Sequence, residues 1–426
     1  MQTINRTQLF RASCLSLLVT SLSFGIRAGI LGDLGTKFEL NASQLGTITA
    51  TAFWGFPLAV VIGGIIVDII GMKRLLLMAF IFHLVGILLT IFATGYWTLF
   101  FSTLVIGIAN GTVEAACNPL VTSLYTENKT TKLSHFHLWF PGGIVIGTLI
   151  VTLFKLIGLN WQVQVGVMLV PTAIYGYLFS RLDFPVTERV AAGVSTAGMY
   201  KAVASPLFIF MFVCMFGTAI TELFTGQWID VLLKNVTNNA LLLLTLETGV
   251  MVLGRAFAKP ILKLFSPQVV ILMSTIVASI GLFMLSTMTG DIIFLAAIIF
   301  GMGVCFFWPT MLGFVSENIP KSGALGLNLM GGAGMFAVSI WTIIMGKYYD
   351  SIVISKLPAG SDPAKYLTAA PGTDMAKALE SAKSLAGPDV LHFTLAIPLV
   401  LIVAFTGLVF YMRAKKKTAP LATVVV

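Results

Sequence analysis

The chain has 426 residues, of which 57% are hydrophobic and only 10% charged, with a formal charge of +9; an ordinary soluble domain is roughly 25% charged. Apolar segments of about 20 residues recur from end to end, each long enough to cross a hydrocarbon core of ~30 Å, which excludes a soluble globular protein. The positive charge is not read as affinity for nucleic acid, because in such a chain it reports where Lys and Arg sit relative to the bilayer.

Breaking the sequence at polar and Gly/Pro clusters gives twelve predicted spans, near 9–32, 43–68, 74–94, 97–124, 134–157, 161–180, 205–229, 239–258, 268–288, 291–315, 323–346 and 391–412. The first run is too long for the apolar core of a signal peptide, contains Arg27 and lacks a small-residue cleavage site, so it is kept as the first span. The stretch 181–204 is the one long polar interruption near the middle. It divides an N-terminal bundle (1–180) from a C-terminal bundle (205–426). The segment 350–390 reads as a long outer loop, in which Asp374–Leu385 has the composition of a short surface helix. With the N-terminus inside, 17 of the 26 Lys and Arg residues fall on the cytoplasmic side and 8 outside, with Arg27 in the membrane. Both termini are therefore expected in the cytoplasm. All four cysteines (Cys14, Cys117, Cys214 and Cys305) fall inside spans without metal-type spacing and read as small packing residues. No metal or cofactor is expected.

An internal repeat gives the architecture. The stretch Gly107–Gly147, GIANGTVEAACNPLVTSLYTENKTTKLSHFHLWFPGGIVIG, returns as GMGVCFFWPTMLGFVSENIPKSGALGLNLMGGAGMFA from Gly301. Pro119 pairs with Pro309, Glu127 with Glu317, Asn128 with Asn318 and Gly142 with Gly332, each at an offset of 190. A membrane hairpin repeated at half the chain length predicts an all-α membrane protein, twelve helices in two pseudo-symmetric six-helix bundles with a transport site between them.

Charges well inside the spans are few: Arg27, Glu114, Glu222 and Glu247. Each is costly in lipid, roughly 2.5–3.5 kcal/mol for Asp, Arg or Lys at a helix centre, so they are expected to line a cavity between the halves. Arg27 is near enough to a helix end to snorkel instead, and Glu247 has a second reading as a structural pair with a neighbouring helix. An acid opposite an arginine is a natural coupling device, and Arg27 with Glu114 is the expected pair, with Glu222 as a further ion-coupling group.

The hairpin GGIIVDIIGMKRLL matches G-x-x-x-D-x-x-G-x-K/R-R/K through Gly64, Asp68, Gly71, Lys73 and Arg74. In this it resembles the major facilitator superfamily, whose fold the resemblance implies. The second half carries a degenerate copy, GRAFAKPILK, with Gly254 and Lys263 retained and Ala258 in place of the acid. These residues, with Arg255, are expected to gate rather than to touch substrate. The string Val113–Leu124, VEAACNPLVTSL, resembles the helix-4 signature of the fucose:proton symporter family. Glu222, Gly226 and Trp228 fit that family's E-x-x-x-G-x-W, and Gly254-Arg255 its G-R step. The resemblance implies that Glu114 is protonated and binds sugar, with Asn118 and Pro119 as companions. The family's helix-1 aspartate falls at about Ala28 here, and its polar helix-5 positions are His137 and Phe140, so neither fucose nor proton coupling carries over unchanged; the alternatives are coupling through an Arg27–Glu114 pair, a different ion such as sodium, or no coupling at all.

Sugar recognition needs hydrogen-bonding groups for hydroxyls and an aromatic face for the ring. Asn118, His137, Gln227, Asn328 and Glu247 are candidates for the first role, Trp228 and Trp308 for the second. Trp228 also reads as an interfacial anchor, His137 as a helix–helix contact, and His83 as structural. The expected function is uptake of a neutral monosaccharide by a monomeric carrier in a bacterial inner membrane, coupled to a proton or sodium. The alternatives are a proton-driven exporter of amphipathic compounds, weakly suggested by Pro141-Gly142-Gly143, and a sugar sensor that moves nothing. No phosphate loop, H-E-x-x-H or G-x-S-x-G element points to an enzyme.

Overall fold

The computed structural model describes residues 4–233, 240–370 and 372–418. Among these the regular structure is helical. Eight helices make the N-terminal half: α1 (Arg6–Lys37), α2 (Ala42–Ile70), α3 (Met72–Ile91), α4 (Tyr96–Leu124), α5 (Lys129–His137), α6 (Trp139–Leu156), α7 (Trp161–Gly166) and α8 (Leu169–Arg181). Two short helices, α9 (Glu188–Ala191) and α10 (Thr196–Val203), follow in the connecting segment. The C-terminal half holds α11 (Pro206–Ala219), α12 (Thr225–Leu233), α13 (Ala240–Ala256), α14 (Ala258–Leu264), α15 (Pro267–Thr287), α16 (Ile292–Val304), α17 (Phe307–Asn318), α18 (Gly323–Ser355), α19 (Pro363–Leu367), α20 (Asp374–Thr394) and α21 (Ala396–Thr418). Several entries use local chemistry. Asn41 and Gln44 close a reciprocal cap on α2, and Ser205 caps α11 ahead of Pro206. Gly71, at φ +85°, takes the left-handed turn between α2 and α3 that a side chain would strain.

Among the described residues, eleven helical segments are long and apolar enough to cross a membrane. The remaining expected span, 239–258, is α13, a 17-residue helix. Several spans are interrupted at depth: α5 gives way to α6 after His137, α16 to α17 at Cys305–Phe306, and a π-helical turn over Ile220–Phe224 joins α11 to α12. The expected outer loop at 350–390 is largely helical, which corrects the sequence reading. Helix α18 runs on to Ser355, and Thr373 caps α20, whose Ala382, Ala386 and Val390 are buried. Beyond the Ala-rich run at its start, α20 has an inward face, and its Gly387 lies so close to the Leu232 carbonyl that a Cβ would sit 1.7 Å from it.

Lipid tails are as apolar as leucine, so close backbone approach rather than the hydrophobic effect holds such helices together. Helices α2 and α4 illustrate this: a Cβ on Gly111 would lie 2.2 Å from the Phe56 carbonyl, and one on Gly107 2.7 Å from that of Ala52. Helices α1 and α6 meet at Gly25 and Gly147, and α15 and α16 at Gly281 and Gly303. A polar chain stitches the N-terminal half. His83 bonds Tyr175 Oη (2.7 Å) and Asn110 Oδ1 (2.8 Å), and Asn110 donates to Ser23 Oγ (3.1 Å), the structural role expected of His83.

Gly111→Val forces α2 and α4 apart, and the expected result is a loss of about 3 kcal/mol of stability, at the upper end of the overpacking range. Thermal unfolding of the purified protein in detergent measures it, with Gly46→Val, where nothing lies within 4 Å, as the neutral control.

Candidate functional site

Glu114 sits on α4 with 4% of its surface exposed. One turn on, Asn118 donates from Nδ2 to Glu114 Oε2 (2.6 Å) and holds its Oδ1 3.0 Å from His137 Nε2. His137 Nδ1 faces Glu114 Oε1 at 3.8 Å. With Asn118 in this orientation, His137 must carry its hydrogen on Nε2, because an amide oxygen only accepts. Neutral His137 therefore turns a lone pair toward a carboxylate, and a proton in that gap would relieve the repulsion. The sequence places the triad together for a simple reason: Glu114 and Asn118 are four residues apart on one helix face, and the break after His137 brings that ring to them.

The C-terminal half contributes Arg255, 2% exposed and the largest fully buried side chain among the described residues. Its Nε donates to the Cys305 carbonyl (2.7 Å), Nη2 to Glu222 Oε1 (2.7 Å) and Nη1 to the His137 carbonyl (2.9 Å). The last bond crosses between the halves. Glu222 stands in the π-helical turn, an irregularity that re-aims side chains and recurs at functional sites. Asn328, on α18, spans the same boundary by donating to the Ala115 carbonyl (2.9 Å), and its Oδ1 has no partner. Trp308 lies at the start of α17 with its ring against Gly331 and Gly334 of α18, where a Cβ on Gly334 would touch it at 2.9 Å.

Other expected site residues fall elsewhere. Arg27 does not pair with Glu114. Its guanidinium lies over the Phe24 ring at 5.1 Å and borders a crevice within the N-terminal half, lined also by Ser23, Thr90 and Thr103. The expected pairing is not formed, because Arg27 turns into this crevice between helices of its own half. Trp228 is partly buried and packs on Phe224 and Gly346. Glu247 is buried on α13 against Gly226. The side chain of Gln227 lies outside the described residues.

The halves also meet at the end of the molecule that carries the connecting segment. Asp68 accepts from Arg189 Nε (2.6 Å) and from Thr187 Oγ1, so the base that the α2–α3 motif calls for comes from the connector. Lys73 donates to the Leu182 carbonyl (2.9 Å), and Arg74 is exposed. Gly64 lets α18 approach: a Cβ there would lie 2.5 Å from Asn328 Cβ. Lys129 bonds Glu188 (2.6 Å) and the Ser316 carbonyl (3.2 Å), and the Thr130 amide donates to Glu317 (3.1 Å). Sequence reasoning missed Lys129, Glu188, Arg189 and Glu317. The offset of 190 that pairs Glu127 with Glu317 was the available signal, since it sets two equivalent hairpins against each other.

Several known proteins resemble this chain. The Escherichia coli fucose:proton symporter FucP, in a crystal structure, superposes with a TM-score of 0.67 at 14% identity, over 92% of this chain and 98% of that one. A TsgA homolog of Buchnera aphidicola is 26% identical over 30% of this chain and 33% of its own length. A D-xylose transporter of Levilactobacillus brevis is 26% identical over 35% of this chain and 33% of its own. The chain thus spans about a third of the length of the curated relatives it matches. A family model described as Major Facilitator Superfamily matches residues 13–346. With that match across most of the helices and the fold described above, this multi-pass membrane protein belongs to the Major Facilitator Superfamily.

Proposed function

We propose that the protein is a secondary active transporter that takes up a neutral monosaccharide by alternating access, coupled to a proton. The observation that carries the reading is the buried polar cluster built from both halves, in which Glu114, Asn118 and His137 of one meet Arg255 and Glu222 of the other through the Arg255–His137 bond. A pair of rocking bundles, 1–180 and 205–426 joined by 181–204, would break and remake that contact in each cycle. The names of relatives that carry fucose or D-xylose favour a sugar as cargo.

In this reading Asn118, His137 and Asn328, with the unpartnered Oδ1 of the last, meet sugar hydroxyls, and Trp308 offers the ring face. The gap between Glu114 Oε1 and His137 Nδ1 takes the coupling proton, and Glu222 answers through Arg255. With both termini in the cytoplasm of a bacterial cell, the connector end faces inward. The Asp68–Arg189 and Lys129–Glu188 pairs then make the conformation closed to the cytoplasm.

Uptake into proteoliposomes, with a panel of hexoses and separate proton and sodium gradients, tests the assignment. A hexose accumulated under the proton gradient supports it. Accumulation under sodium alone moves the coupling to that ion, and movement of dyes or drugs without any hexose returns the exporter reading. Glu114→Gln is expected to abolish gradient-driven accumulation while counterflow exchange survives. Trp308→Ala should weaken apparent affinity about tenfold, the equivalent of ~1.4 kcal/mol. Arg189→Ala strands a buried Asp68, a change that costs about 3–5 kcal/mol in such pairs. A reporter at Leu327→Cys should therefore be labelled at least about tenfold faster from the connector end.

A further inference from the structure

Glu247 is the buried acid that the cluster above leaves unused. It is 1% exposed, and Glu222 is 4% exposed. Glu222 Oε1 accepts from Nη2 of Arg255, whose Nε and Nη1 donate to the Cys305 and His137 carbonyls. Among the described side chains, no cation forms an ion pair with Glu247. Among the described side chains, the charged group acting on it is Glu222 itself, a like charge. Oε2 of Glu222 and Oε2 of Glu247 both lack a hydrogen-bond partner. Gly226, one turn beyond Glu222, makes the approach possible, since a Cβ there would lie 3.0 Å from Glu247 Oε1. The remaining titratable groups nearby are already engaged. His137 is bonded to Asn118, and Cys305 Sγ donates to the Met302 carbonyl at 3.1 Å.

We infer that Glu222 and Glu247 share one proton, which resides on Glu247 while Arg255 occupies Glu222. Two buried carboxylates with one guanidinium among the described side chains, and that one held by Glu222, cannot both stay ionised without an uncompensated charge. Glu222 is the ionised member here because it holds the arginine. Moving the halves apart at the connector end removes the His137 carbonyl from Arg255. When Arg255 also leaves Glu222, the O–H bond on Glu247 breaks and one forms on Glu222, and the pair keeps a single negative charge. The proton thereby follows the position of Arg255, giving the C-terminal half a titrating site separate from Glu114. The inference extends the proton coupling proposed above, but its test needs no sugar.

Infrared spectroscopy of the purified full chain in sodium-free buffer at neutral pH reads the proton directly. The expected result is a carboxylic-acid carbonyl band that is absent from Glu247→Gln, present in Glu114→Gln and unmoved when sodium chloride replaces potassium chloride. A wild-type band that persists undiminished in Glu247→Gln overturns the inference, as does its loss on adding sodium, which would mark a metal-ion site. Should Glu247→Gln fail to fold, Gly226→Ala retains both acids and presses a methyl on Glu247. A shifted band is then expected, and an unshifted one rejects the assignment. None of these outcomes bears on whether a hexose is accumulated in proteoliposomes, so the transport reading stands or falls separately.

Discussion

A guanidinium with no access to water has to find all its partners in protein, and Arg255 finds them on three different segments. The Glu222 carboxylate supplies charge, and the carbonyls of Cys305 and His137 supply the remaining bonds. Both carbonyls are available for a structural reason. They lie where helices break, α5 into α6 and α16 into α17, and a carbonyl at a helix break is free of the intrahelical ladder. Removing any of the three leaves a buried charge short of a partner. The π-helical turn that presents Glu222 and the two helix breaks are therefore parts of one arrangement, and the half-to-half contact at His137 is a consequence of satisfying a single side chain.

Around this centre, two kinds of contact hold the halves together. Glycines at 64, 142, 313 and 332 allow helices of one half to meet side chains of the other at van der Waals distance. Such contacts release without leaving an unsatisfied polar group. The connector end behaves differently: Asp68–Arg189 and Lys129–Glu188 tie the N-terminal half to the connector, Lys129 and Thr130 tie it to Ser316 and Glu317 of the C-terminal half, and these polar groups must be rehydrated when they part. Close glycine contacts in the interior and polar ties at one end make a closure that is firmest at the connector end. That division suits a carrier whose halves rock about a central site.

The fate of individual residues shows how far a one-dimensional reading extends. Glu114 and Asn118 could be assigned to one site because helical spacing alone puts them on one face, and the structure joins them directly. The Asp68 motif announced that a base was needed without saying that the connector would bring it. Arg27 was matched to Glu114 on charge alone, and the azimuth of α1 placed it elsewhere. The stretch after Ser355 read as loop because its inward face is made of alanine and glycine, whose burial carries little apolar signal. Trp308 was drawn toward the cluster by its depth beside Pro309, and the glycines that receive its ring are visible only once α18 is in place.

By itself the sequence determined that this protein lives in a bilayer, that it is built twice over from one helical plan, and which few ionisable groups must avoid lipid. Those properties follow from composition, length and periodicity, which are additive along the chain and survive without knowledge of any contact. Tertiary structure alone decided which acid meets which base. That choice depends on helix rotation and on where the ladder breaks, and a rotation of one residue turns a side chain from the interface into the bundle. Arg255, read as a gate residue from a two-residue step, became the hub because three partners from distant parts of the chain converge on it, and convergence of that kind has no signature in linear order.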